Sequence, residues 1–156
     1  MSINQNAVGG SFTTVDTVPK FRPGTTMKGA GDDEYVYVEA AATITGATYV
    51  VGIDEDYEAT MLAAAAGGAL GDAVGVAKAA AAAGEYLWVQ VRGTCDVRVA
   101  ASCAANVVLA ATATAGQIDD AVGKTVERLV LTTARAASAG PAPARLMYPT
   151  VGATTT

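Results

Sequence analysis

The sequence predicts a mainly β fold: an antiparallel β-barrel or sandwich of about nine short strands with an extended N-terminal arm. Three observations predict it. From residue 32 onward, short runs of alternating apolar and polar residues recur at close spacing, as half-buried strands do. Turn signals separate these runs, at Thr45-Gly46, at Asp54-Glu55-Asp56, at Gly93-Thr94 and within AGQIDD. Residues 1–31, by contrast, have no periodic apolar face, and Gly9-Gly10, Pro19, Pro23-Gly24 and Gly29 punctuate them.

Taken in order, EYVYVEA opens the domain as an alternating strand, and ATYVVGIDEDYEATML reads as strand, acidic turn, strand. AVGVAKAA begins with a short strand. EYLWVQVRG and CDVRVAA then read as a hairpin around Gly93-Thr94, and ANVVLAAT, TVERLVLTTA and ARLMYPTV complete the set. The expected organisation is an arm over 1–31, a barrel-like domain over 32–151 and a flexible tail over 152–156. At 156 residues the chain suffices for one domain with a real core but not for two full ones.

The alanine run 79–83 is the ambiguous element. Alanine is the best helix former, yet five in a row between Lys78 and Gly84 are too few for a helix that stands without tertiary support. With β patterns on both sides, the run reads as the end of a strand and a small-residue connection to the next. An internal echo is also visible. VGVAKAAAAAG (74–84) resembles VLTTARAASAG (130–140), and VYVEAA (36–41) resembles VRVAAS (97–102), at offsets of about 56–61 residues that keep the same order.

The arm holds Phe12 and Phe21, the two phenylalanines of the chain, together with Met27. Such residues suit a segment laid across another surface better than a free tail. Its cations Lys20, Arg22 and Lys28 face Asp16 alone, so the arm is net positive, whereas the whole chain is at −5. An acidic body argues against nucleic acid as a partner, while a basic arm suits docking on an acidic protein surface. With 51% hydrophobic and 16% charged residues, much of it alanine, the surface is low in charge. The segment 59–84 imitates a membrane span, with Gly67, Gly71 and Gly75 at four-residue spacing, but Ala and Gly are weakly apolar, and Asp72 and Lys78 would be costly in a bilayer. The start of the chain lacks the pattern of a signal peptide, which fits synthesis in a reducing cytoplasm, as do Cys95 and Cys103 read as free buried thiols.

Chemistry is hard to find. There is no histidine, which removes Ser-His-Asp and Cys-His systems and the commonest zinc ligand. None of Ser2, Ser11, Ser102 and Ser138 stands in a nucleophile elbow, and GGALGD lacks the Gly-Lys-Ser/Thr ending of a phosphate loop. The carboxylates of 54–58 lack the ligand spacing of a calcium loop and read as a solvated turn. No catalytic, cofactor or metal site is expected. In EYLWVQVR, Leu87, Val89 and Val91 form the core face. The opposite face presents Tyr86, Trp88, Gln90 and Arg92, a mixture enriched at protein interfaces, with burial of Trp88 in the core as the alternative.

AVGVAKAAAAAGEYLWVQVRG (73–93) resembles the recurring Gly-Val-Ala, small-residue run, Gly-Glu, alternating-strand, Gly pattern of the capsid decoration (cement) proteins of tailed bacteriophages. EYVYVEAAATITGATYVVGIDED is similar to the early hairpin of such proteins, and the likeness spans 32–151 and leaves the arm unmatched. The resemblance implies a non-enzymatic protein on the outer surface of the virion, made in the host cytoplasm. It would clamp neighbouring major capsid subunits and associate with itself as a homodimer or homotrimer. Capsid or subunit contacts are then expected from Phe12, Lys20, Phe21, Arg22, Met27 and Lys28 of the arm, and from Tyr86, Trp88 and Arg92. A self-assembling virion subunit (minor capsid or tail-tube-like) and a carbohydrate-binding β-domain are the alternatives.

Overall fold

The computed structural model describes residues 6–7 and 10–156; the start of the expected arm lies outside the described residues. The strands are β1 (Asn6–Ala7), β2 (Gly10–Ser11), β3 (Thr26–Lys28), β4 (Glu34–Ala40), β5 (Val50–Ile53), β6 (Glu58–Met61), β7 (Ala73–Ala77), β8 (Tyr86–Val99), β9 (Leu109–Ala111), β10 (Ile118–Asp119), β11 (Lys124–Leu131) and β12 (Gly140–Thr154). No helix occurs among the described residues, and so none that is long and apolar enough to cross a membrane. β1 and β2 form a small hairpin, and the other strands form one mixed ten-stranded sheet. The fold is thus mainly β, with two parallel pairings among the antiparallel ones.

The pairings close two rings. β4 pairs with the first half of β8, β8 with β7, β7 with β5, and β5 with β6, all antiparallel; β6 returns to β4 in parallel. The second half of β8 repeats the scheme with β12, β11, β9 and β10, including the parallel return from β10 to β8. Most registers also correspond, although β9 pairs β11 three residues away from the match to β5 and β7, at the irregularity between Glu127 and Leu129. Val38↔Leu87 matches Val97↔Ala142, Ala40↔Ala59 matches Val99↔Ile118, and Ala77↔Val89 matches Leu131↔Ala144. Even irregular features recur: Thr48 and Asn106 both have positive φ, and each donates its backbone N–H to the end of the matching strand, at Ala77 and Leu131. The chain is therefore two copies of one five-strand unit joined through β8. The sequence echo finds the right strand pairs but is two residues out of register, a slip that preserves which side chains face inward.

The expected hairpin at Gly93-Thr94 is absent. β8 runs unbroken for 14 residues, and its odd-numbered positions face inward throughout, from Leu87 to Val99. Gly93 takes φ 102° at the point where the strand passes from one ring to the other, and a Cβ there would strike Asp33. Gln90, buried on the same strand, donates from Nε2 to the carbonyls of Arg92 (3.0 Å) and Thr94 (3.5 Å), bracketing that glycine. The tail boundary also moves, since β12 continues to Thr154, which pairs with Lys124.

The alanine run forms no helix. β7 ends at Ala77, and Ala81 then exchanges backbone hydrogen bonds with Ile44 (2.8 and 3.0 Å), a bridge whose counterpart is Arg135 N–H to the Cys103 carbonyl (2.9 Å). GGALGD is a surface loop whose glycines lie close to the body: a Cβ on Gly52 would collide with the Gly67 carbonyl, and one on Gly68 would press on Val151. Val36, Val38, Ile53, Leu87 and Val89 fill the first ring, and Val97, Leu109, Ile118, Leu131 and Leu146 fill the second. Val50, Leu62, Val74 and Val76 project outward from the first ring into the core of the second, which joins the two units into one body.

Replacing Gly93 by alanine combines an unfavourable φ with a clash at Asp33, so Gly93→Ala should lose more than about 1 kcal/mol in urea unfolding. A Gly71→Ala control, also at positive φ (91°) but with open space around it, should lose less.

Candidate interaction surface

Position in the strand decides which large side chains reach the surface. Along β4 and the first half of β8, the inward positions are aliphatic, which leaves Tyr35, Tyr37 and Trp88 on the outer face. The arm covers them. Phe12 stacks on Tyr35 (3.8 Å between centroids, 13°) and meets Trp88 edge-on (5.4 Å, 89°), while Phe21 packs edge-on to Tyr37 (5.4 Å). Met27 and Tyr86 close the sides of this cluster. Phe12 is 1% exposed and Trp88 3%, so two of the four rings expected to reach an outside partner are used up within the chain. Phe21, Met27 and Tyr86 are half-buried there as well. The physical reason is local: an exposed row of three aromatic rings on one sheet is a large apolar patch, and the nearest available cover is the arm's own phenylalanines.

A polar clasp holds the arm in place. Asp16 exchanges backbone hydrogen bonds with Tyr86 (2.9 and 2.8 Å), and its Oδ2 accepts from the Tyr37 hydroxyl at 2.6 Å. Lys20 reaches Asp16 Oδ1 at 3.0 Å and donates its backbone N–H to the Tyr37 oxygen at 3.3 Å. Burial works to raise the Asp16 carboxyl, but the hydrogen bonds from Tyr37 and Lys20 hold it below its ordinary 3.8. Burial, together with the bond to Asp16, pushes the Tyr37 phenol up to about 12. Lys20 is thus occupied, whereas Arg22 and Lys28 remain exposed.

Two sequence-predicted residues, Lys28 and Arg92, do meet in one surface row. Lys28, Glu34, Arg92 and Met147 are successive cross-strand neighbours on β3, β4, β8 and β12. Next to Met147 stands Tyr148, at a register shift in β12 and with φ 50°. This bulge turns Tyr148 toward the row: its hydroxyl donates to Glu34, and the Arg92 guanidinium lies 5.8 Å from its ring centroid. Met147 is 54% and Tyr148 44% exposed. The result is a continuous strip of Lys, Glu, Arg, Met and Tyr crossing four strands. Glu34, Met147 and Tyr148 are not among the residues the sequence singles out. The clue available was the loss of alternation in LMYP, where an extra residue must be absorbed.

Reactive chemistry is sparse. Both cysteines are free, with Cys103 buried and Cys95 partly so. Burial pushes the Cys95 thiol up to about 12 and, with Asp120 and Asp119 nearby, the Cys103 thiol to about 11, so neither is an activated nucleophile. Cys103, Asp119 and Asp120 form a close group, in which Asp120 accepts the backbone N–H of Ala104 (3.0 Å) and caps the loop. In the acidic turn, Asp54 Oδ1 is taken by the N–H groups of Asp56 and Glu58 (3.0 and 2.9 Å). Comparison with protein-family models, curated proteins and solved structures finds no match to this chain.

Phe12→Ala should cost about 3–5 kcal/mol, red-shift Trp88 emission and open residues 11–28 to protease. Because the Asp16 carboxyl is held below its ordinary value, the clasp contributes fully above pH 3.8 and is lost as the pH falls through the lowered value. An acid titration of Trp88 emission should therefore stay flat from neutrality to about pH 4 and then shift. In Asp16→Asn the arm should be looser already at neutral pH, with that step missing.

Proposed function

We propose that this chain is a bacteriophage capsid decoration protein that binds the outer surface of the mature shell and bridges neighbouring major capsid subunits. The observation that carries the reading is the strip of Lys28, Arg92, Met147 and Tyr148. Arginine, tyrosine and methionine are the side chains enriched at protein interfaces, and here they share one surface that no segment among the described residues covers. The likeness of residues 73–93 to cement proteins supports the same reading, and so does the lack of an activated nucleophile among the described residues.

The mechanism is mass action. A protein that binds the assembled lattice and not its dissociated subunits shifts that equilibrium by its binding free energy, and many copies on a symmetric lattice make modest single-site affinity sufficient. The clasped arm contributes rigidity: with Phe12 and Asp16 fixed on the body, Lys28 at the arm's end is held at the edge of the strip as the β-partner of Glu34. Little ordering entropy is then left to lose on binding. Arg22 and Lys28 supply positive charge to an acidic neighbour.

The test is co-sedimentation of the purified protein with expanded, undecorated phage shells, with protein alone as control. Saturable pelleting that requires shells is expected. Arg92→Ala and Tyr148→Ala should each weaken it by about tenfold or more with the fold intact. No pelleting with shells, or variants that bind like the parent, would overturn the reading. Pelleting without shells would favour a self-assembling virion subunit instead.

A further inference from the structure

We infer that the outer face of β9 and β11 is a docking site for a second copy of this chain, joined head to tail through the acidic turn 54–57. The argument starts from the internal repeat. In the first unit the corresponding face, on β5 and β7, is sealed: Val50, Val74 and Val76 are at most 1% exposed because the second unit sits on them. The segment that seals the start of β5 is the β9–β10 turn. Gly116 accepts from the Val50 N–H (3.0 Å) and donates to the Leu62 carbonyl (2.8 Å), and Thr112 accepts from Ala64 (2.8 Å).

In the second unit the same positions are bare. Val108, the counterpart of Val50, is 68% exposed, and Val130, the counterpart of Val76, is 37% exposed. With Val107, Arg128 and Ala153 they line an open groove of about 530 Å³. The two valines of that face thus recur bare in the second unit, with Arg128 standing in place of Val74 and the β9–β11 register shifted at the bulge beside it. What covers it in the first unit also shows what would fit the second. The counterpart of the β9–β10 turn is the β5–β6 turn, residues 54–57, whose Glu55 and Asp56 are exposed and whose Tyr57 is 43% exposed. Seated on the groove of another copy, this turn would set its Tyr57 ring on the valines and its carboxylates between Arg128 and the neighbouring Glu127, with the aromatic contact carrying the fit. Groove and turn are different surfaces, so the contact is heterologous and propagates from copy to copy until a ring closes. This inference needs no shell, and its outcome is separate from that of capsid binding.

The test uses the full chain in sedimentation velocity over a range of concentrations. The parent should grow with concentration beyond its 15.5 kDa monomer. Val108→Asp, which spoils the groove, and Glu55→Lys/Asp56→Lys, which spoils the turn, should each remain monomeric with unchanged far-UV circular dichroism. Mixed in equal amounts, the two variants should recover a 1:1 dimer that grows no further, since one retains a groove and the other a turn. Val108→Ser serves if the aspartate variant does not fold. A parent that stays monomeric, a groove variant that still associates, or a mixture that does not recombine would overturn the inference.

Discussion

Everything in this molecule hangs on β8. Its first half closes one ring and its second half closes the other, so neither unit can complete its pairing without the same strand. The constraint falls on a short stretch of backbone. Gly93 adopts a conformation that side-chain-bearing residues resist, Asp33 occupies the space a side chain would need, and the buried Gln90 amide ties down the carbonyls on both sides. The polar group at position 90 would be expensive in a core if unpaired. It is paired three ways, with Lys78 Nζ donating to its oxygen at 3.3 Å. A flexible joint here would leave two loosely tethered half-domains, whereas the observed strand makes one body.

The repeat explains why the arm covers one unit and not the other. The cross-strand pair Tyr37↔Trp88 on the outer face of the first unit corresponds to Asp96↔Pro143 in the second. Aromatic rings on an open sheet need a cover, and Phe12 and Phe21 supply it. An aspartate and a proline are at ease in water and need none. The two units thus share a backbone plan but differ in their outer faces. The exposed strip of Arg92, Met147 and Tyr148 lies where the partners of both halves of β8 meet, on a rigid seam. A binding surface built on paired strands loses less entropy than one on a loop.

Much of this was legible in the residues. The strands at 34–40 and 50–61 follow from alternation and an acidic turn, and the alanine run reads as a connection because too few residues stand between two glycines to hold a helix. The stretch at Gly93-Thr94 continues as a strand where a hairpin is expected. A glycine between two alternating runs looks the same whether the chain reverses or continues. The distinguishing signal was parity: Leu87, Val89, Val91, Cys95, Val97 and Val99 stay in phase across the glycine. The fate of Phe12 was not legible, because its partners Tyr35 and Trp88 lie far along the chain and declare themselves as one face only once β4 and β8 are paired. Tyr148 was hidden for a related reason, since its placement depends on a bulge that only the register of β11 against β12 reveals.

The claim that the two units form one cooperative body through β8 is open to a direct measurement: equilibrium unfolding in urea, followed in one sample set by Trp88 emission and by thiol labelling of Cys103 in a Cys95→Ser background. Trp88 reports on the arm-covered first unit, and Cys103, fully buried, reports on the interior of the second. The account predicts coincident transitions with one midpoint and one slope. Labelling of Cys103 at urea concentrations where Trp88 emission is still native, or the reverse order, would show that the units unfold separately and that β8 does not couple them.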